Sequence, residues 1–181
     1  MGYSVTLRDI IEFPHFCERK RERIHPMAQI SPSSSTSIVA IGPADSLWDA
    51  ALAFVDVCPW RGARSLARKM REGYFTGWQR VILATVDGEP AGFCTLAAED
   101  GLVDDDRTPF IGYVCVDERL RGRRLSERMI RVAEDLAHTA GFTRMYIRSG
   151  EEGLYEKFGY EPCGVGRDRH GEVETVFSRE L

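Results

Sequence analysis

Apolar positions along this chain recur with two periods, and from residue 37 onward they lay out a regular series of elements. Ser37–Ile41 is a short apolar run that predicts a strand. Asp45 can cap a helix running to Val57, and Pro59 prevents its continuation. Ala63–Glu72 predicts a second helix, ended by Gly73. Arg80–Val86 and Ala91–Ala98 read as strands joined by Asp87-Gly88-Glu89-Pro90, a tight hairpin signal. The acidic loop Glu99–Arg107 then leads to an apolar strand, Phe110–Val116. Leu125–Ala140 carries the clearest helical period, with Leu125, Met129, Val132, Ala133, Leu136 and Ala140 on one stripe and Gly141 at its end. Glu127–Arg131 and Arg131–Asp135 stand at i,i+4 on its polar side. Met145–Arg148 predicts a strand, Glu151–Phe158 a short helix, and Tyr160–Val165 and Val173–Arg179 two closing strands. The order βααβββαβαββ holds one crossover unit and several hairpins. It predicts an α/β protein of the α+β type, with a mixed, mainly antiparallel sheet flanked by helices.

The polar run Ser-Pro-Ser-Ser-Ser-Thr-Ser at residues 31–37 punctuates the chain. Ahead of it Leu7–Arg23 can form a helix interrupted by Pro14, so residues 1–37 read as an extension and 38–181 as one domain. A chain of 181 residues suits one such core. Net charge of −4 and a pI near 5.6 speak against bulk nucleic-acid affinity. Cys17, Cys58, Cys94, Cys115 and Cys163 are odd in number and scattered, which fits buried thiols in a reducing compartment. His15, Cys17 and His25 match no metal-ligand spacing, so no metal is expected. No apolar run reaches the roughly 18 residues of a membrane span, and the expected location is cytoplasmic.

Candidate chemistry concentrates between Phe110 and Tyr160. Asp117–Ser126 joins a strand to the long helix and contains Arg119, Arg121, Gly122, Arg123 and Arg124. Free amides at a helix start, the positive end of its dipole and guanidinium groups can together hold a pyrophosphate. A solvated turn balanced by Asp117, Glu118 and Glu127 fits the same residues, and a nucleic-acid patch would want interleaved aromatics.

The run Val114-Cys115-Val116-Asp117-Glu118-Arg119-Leu120-Arg121-Gly122-Arg123-Arg124-Leu125-Ser126 resembles the acetyl-CoA-binding signature of the GNAT N-acetyltransferase superfamily. Leu154-Tyr155-Glu156-Lys157-Phe158-Gly159-Tyr160 resembles that superfamily's later segment, in the right order. The pattern Q/R-x-x-G-x-G/A places Arg121 first, Arg124 on the glycine and Ser126 last, so the likeness is to a subgroup with an Arg-Leu-Ser variant of the loop. Ser149 stands where many relatives carry an asparagine.

The resemblance implies a splayed parallel strand pair, with Val114, Cys115, Val116, Arg121, Gly122, Arg123, Arg124, Leu125, Ser126 and Ser149 on acetyl-CoA as co-substrate. It implies direct acetyl transfer to a primary amine, with Tyr155 as general acid. The acceptor is expected to be a small-molecule or peptide amine, with no nucleic-acid or membrane partner. Trp60, with Tyr74, Phe75 and Trp78, is a candidate wall of the acceptor pocket. Asp104 and Asp105, with Glu99, Asp100 and Asp106, are candidates for attracting the amine, or simply a hydrated acidic loop. A non-catalytic CoA-binding or protein-interaction domain on the same fold is the alternative. Acceptor, base and oligomeric state are not legible.

Overall fold

Residues 34–181 are described by the structure, a computed structural model. The expected helix Leu7–Arg23 and the residues His15, Cys17 and His25 lie outside the described residues. The elements follow the expected order in all but one place. They are β1 (Thr36–Ile41), α1 (Trp48–Val57), α2 (Arg61–Arg71), β2 (Arg80–Val86), β3 (Glu89–Ala97), β4 (Phe110–Val116), α3 (Leu125–Thr139), β5 (Arg144–Ser149), β6 (Glu161–Arg167) and β7 (Val173–Glu180).

The expected helix at Glu151–Phe158 is instead an irregular turn ending in one 3-10 turn at Glu156–Phe158. Gly153 and Gly159 take positive φ angles of 75° and 86°, which no helix continues through. Asp45 does not cap α1 directly. Its carboxylate accepts from the Gly42 amide at 2.6 Å, closing a turn, and the helix starts at Trp48. The β2–β3 hairpin is tighter than expected, a two-residue Asp87-Gly88 turn with both φ angles positive, 53° and 86°. That geometry suits the right-handed twist of the flanking strands.

The seven strands form one sheet in the order β1-β2-β3-β4-β5-β7-β6. Every neighbouring pair is antiparallel except β4 and β5. Alternation along β2 feeds two cores. Ile82, Ala84 and Val86 face α3 with Leu125, Met129, Ile130, Ala133 and Ala137. Val81 and Leu83 face α1 and α2 with Val55, Leu66, Ala67 and Met70. On α3 the buried face is rotated from the expected stripe: Ile130 and Ala137 are buried, Val132 and Leu136 half-buried, and Ala140 exposed. Glu134 is buried on that face and accounts for the rotation. It accepts from the Tyr160 hydroxyl at 2.8 Å and pairs with Arg131 at 2.8 Å, fastening α3 to the turn before β6. Arg131 keeps the expected i,i+4 pair with Glu127 at 3.9 Å and takes Glu134 in place of Asp135.

The feature that positions the site is a bulge in β4. Phe93 of β3 faces Cys115 and Thr95 faces Gly112, so β4 carries one residue more than its partner there. Tyr113 takes a φ of 53° within the bulge, a conformation that costs a bulky residue about 1–2 kcal/mol. Bulges bend a strand and raise its twist. On its other side β4 pairs with β5 only at Phe110↔Tyr146 and Ile111↔Ile147, and past those pairs the two parallel strands part.

Candidate active site

The gap between β4 and β5 opens into a cavity of about 1030 Å³. Its floor is Ile111–Val114 of β4 and Ile147–Ser149 of β5, and Tyr155 closes one side. The polar face of α2 and the β6–β7 hairpin supply further parts of the lining.

Tyr155 is held by aromatic contacts: Phe177 at 5.9 Å, and Phe158 and Tyr160 at 6.4 Å between ring centroids. The ring is fixed while the residue still borders the cavity, with Ser149 beside it. Burial, then the negative charge of Glu151, push its phenol well above the ordinary tyrosine value, and the Ser149 hydroxyl pulls the other way. Such a phenol stays protonated at neutral pH, the state a proton donor needs.

Asp100 enters the cavity from the loop after β3. A Cβ on Gly112 would stand 2.7 Å from its Oδ1, so the carboxylate lies directly over the glycine of the bulged strand. Burial raises its pKa to about 6, against the lowering pull of Arg148 and Lys69; Glu174 adds to the rise. Arg148 of β5 gathers three carboxylates: its Nε stands 3.5 Å from Asp100, and its terminal nitrogen 3.3 Å from Glu174 and 3.9 Å from Asp168. Arg169 and His170 of the hairpin line the cavity as well, yet Asp100, Asp168, Glu172 and Glu174 outnumber the guanidinium groups of Arg148 and Arg169 by two, so this part of the cavity stays net negative and suits an ammonium group.

The turn before α3 lies beyond the cavity lining. Arg124, at the helix N-cap, takes a φ of 57°, the conformation a glycine would adopt without strain. The first intrahelical bond runs from the Arg128 amide to the Arg124 carbonyl at 3.1 Å, so the amides of Leu125, Ser126 and Glu127 precede it without helical partners. The guanidinium groups are less available. Arg119 pairs with Asp117 at 2.6 Å, Arg121 with Glu118 at 3.5 Å and Arg124 with Glu127 at 2.6 Å, while Arg123 donates to Ser34 Oγ at 2.9 Å.

Comparison with known proteins agrees with this geometry. The profile of the Acetyltransferase (GNAT) family matches residues 48–160, which hold α1 through the turn at Tyr155. The chain belongs to the GNAT acetyltransferase family. Solved structures share the fold at low identity. An acetyltransferase of the GNAT family from Streptococcus pneumoniae aligns with a TM-score of 0.58 and 14% identity over 81% of this chain and 100% of that one. An aminoglycoside 6'-acetyltransferase type Ii aligns at 0.61 and 18% identity, over 80% of this chain and 96% of that one. Aminoglycoside acetyltransferase AAC(6')-Ib, solved with coenzyme A, aligns at 0.58 and 15% identity, over 81% and 95% of the two chains. No curated protein sequence matches.

Within this GNAT fold the candidate residues fall into three places. Val114, Ser149, Tyr155 and Trp60 all border the cavity. Trp60 packs edge-on to Tyr113 at 6.1 Å, and its ring covers Gly62, where a Cβ would stand 2.5 Å away. Cys115 and Val116 continue β4 toward the turn, where Arg121, Gly122, Arg123, Arg124, Leu125 and Ser126 sit. Asp104 and Asp105 are brought elsewhere: they line a separate recess of about 470 Å³ with Arg107 and Tyr146. Asp105 is tied to Arg107, whose Nε donates to it at 2.8 Å. Phe75 and Trp78 do not border the cavity; Phe75 is buried under α1 against Trp48, and Trp78 packs on Phe142.

Cys115 is buried and its Sγ stands 3.8 Å from that of Cys58, a contact that raises its pKa and lowers that of Cys58. Among the described residues no group of three metal-ligating side chains lies together. No helix there is long and apolar enough to cross a membrane. The reading from sequence passed over Arg148 and the polar face of α2. Arg61, Arg64 and Arg68 recur at i, i+3 and i+7 opposite buried Ala63, Leu66, Ala67 and Met70, and that spacing was the available signal.

Proposed function

We propose that this GNAT chain transfers an acetyl group from acetyl-CoA directly to a primary amine, with Tyr155 as general acid and Asp100 as general base. The observation that carries the reading is the convergence of both side chains on one cavity at the mouth of the β4–β5 gap.

Acetyl-CoA would supply the activated acetyl group, and the chain's residues fit it. The main-chain groups of Tyr113–Val116 on the β5 side stand past the last ladder pair, as an added extended segment requires. Arg124 keeps the left-handed turn despite its side chain, so the amides of Leu125, Ser126 and Glu127 remain for a diphosphate. This supports the variant loop of the Arg-Leu-Ser subgroup as a working anion site.

Asp100, ionised above pH ~6, would hold an incoming ammonium among Asp168 and Glu174 and take the proton that the nitrogen must lose before its lone pair can attack. The second N–H proton leaves as the adduct collapses to the amide and can replace the one Tyr155 gives to sulfur. An amine of pKa ~10 lies about four units above Asp100, so full deprotonation beforehand would cost roughly 5 kcal/mol. Attack therefore draws on the small neutral fraction of the bound amine, and only the second N–H, made acidic by acylation, is lost without such a cost. Tyr155 would give its proton to the departing sulfur.

The test is a thiol-release assay with acetyl-CoA and a broad amine panel, run beside calorimetry. Acetyl-CoA should raise the Tm of the wild-type chain. Tyr155→Phe should lower kcat about a hundredfold while leaving the Kd for acetyl-CoA within about twofold. Equal losses in both, or unchanged turnover, would remove Tyr155 from the role.

A further inference from the structure

Two parts of the cavity lining carry opposite charge. One part holds Asp100, Asp168 and Glu174, gathered around Arg148, with Glu172 and Arg169 of the β6–β7 hairpin beside them, a net excess of two carboxylates over guanidinium groups. In another part α2 presents Arg61, Arg64 and Arg68, all exposed, with Ser65 and half-buried Lys69 beside them. None of these three arginines has a carboxylate partner among the described residues, whereas Arg71 of the same helix pairs with Asp56. Helix geometry explains the alignment: residues at i, i+3 and i+7 share one face. Lys69, the residue after Arg68, bridges the two charge fields. Its ammonium sits 4.2 Å from the Tyr74 ring centroid and 5.6 Å from that of Tyr113, and its charge is felt at Asp100. No residue of Arg121–Ser126 lines the cavity, so this stripe is separate from the turn assigned to the diphosphate.

Resting on the transferase reading, we propose that the acceptor is a primary amine that also carries an anionic group, a carboxylate or a phosphate. The arginine stripe of α2 binds the anion, and the acidic part of the lining directs the amine toward Asp100 and Tyr155. Planar guanidinium groups recognise both anions in bidentate fashion. A polycation such as an aminoglycoside would meet three unpaired arginines on one side and gain nothing there, which separates this chain from the aminoglycoside enzymes that share its fold.

Matched pairs of amines test this in the full chain: phenylalanine against phenylethylamine, lysine against cadaverine, and O-phosphoethanolamine against ethanolamine, with spermidine and kanamycin as polycations. Thiol release from acetyl-CoA is followed for the wild type and for the double variant Arg64→Gln/Arg68→Gln. The anionic member of the best pair should be preferred about tenfold or more in kcat/KM, and the double variant should shrink that preference to about twofold by raising KM. The phosphate and carboxylate pairs show which anion is meant. Turnover of neutral or polycationic amines alone, or an unchanged preference in the double variant, overturns the inference and leaves the transferase standing. No release with any amine, and no change in Tm with acetyl-CoA, overturns the transferase reading and this inference with it.

Discussion

Burial over Gly112 leaves the Asp100 carboxylate short of water, and the two cations near it, Arg148 and Lys69, do not fully compensate. Its folded pKa of about 6 stands above the ordinary 3.8, so the folded chain binds the proton more tightly than the unfolded one. Its contribution to stability is therefore complete below pH ~4 and lost as the pH rises to about 6. Two units correspond to about 3 kcal/mol at most. Asp100→Asn should accordingly unfold at a higher temperature at pH 7.5 and turn over more slowly. Its rate profile should also lack the acid limb near pH 6 that the wild type shows. A variant that keeps that limb would exclude Asp100 as the base, and one that loses stability would contradict its raised pKa. Arg124 offers a second test at this scale. A glycine there adopts φ > 0 freely and a valine does not, so Arg124→Gly should hold or raise Tm. Arg124→Val should lose about 1–2 kcal/mol relative to the glycine variant in thermal unfolding.

Among elements, the bulged strand β4 joins packing to chemistry. Gly112 is the one position of the strand over which the loop carboxylate can lie, since any Cβ would meet Asp100 Oδ1 at 2.7 Å. Gly112→Ala should displace Asp100 and lower kcat at least about tenfold, while the Kd for acetyl-CoA, held further along β4 and at the α3 turn, changes little. Equal activity in the alanine variant would show that Asp100 need not sit there. The sequence carried most of the frame in plain form. An Asp-Gly dipeptide between apolar runs announces the β2–β3 turn, and the period of α3 with Gly141 behind it announces that helix. It could not announce the bulge, because Tyr113 at φ 53° breaks the usual preference of its residue type. Nor could it single out Asp100 from five acidic residues between Glu99 and Asp106. That distinction arises only when β5 brings Arg148 alongside, from a position 48 residues further along the chain. The long-range contact is likewise what rotates α3, where Glu134 is buried because Tyr160 and Arg131 satisfy it.

Taken whole, the molecule is one sheet laddered at its middle by two residue pairs, Phe110↔Tyr146 and Ile111↔Ile147, with the loop after β3 tied to the far half at Leu102↔Asp168 and Val103–Arg167. On one side β1 to β4 are laddered together, and on the other β5, β7 and β6, with α3 bridging from β4 to β5. Two plates joined by so short a seam can rock against each other more easily than either can flex within itself. A ligand whose own amides bond to both rims would act as a missing strand and stitch the plates together. Deuterium uptake should report it: added acetyl-CoA should slow exchange at Val114–Val116 and Ile147–Ser149 together, and leave the β1–β2 ladder as it was. Protection that appears on one rim alone would mean the cleft is occupied without being bridged.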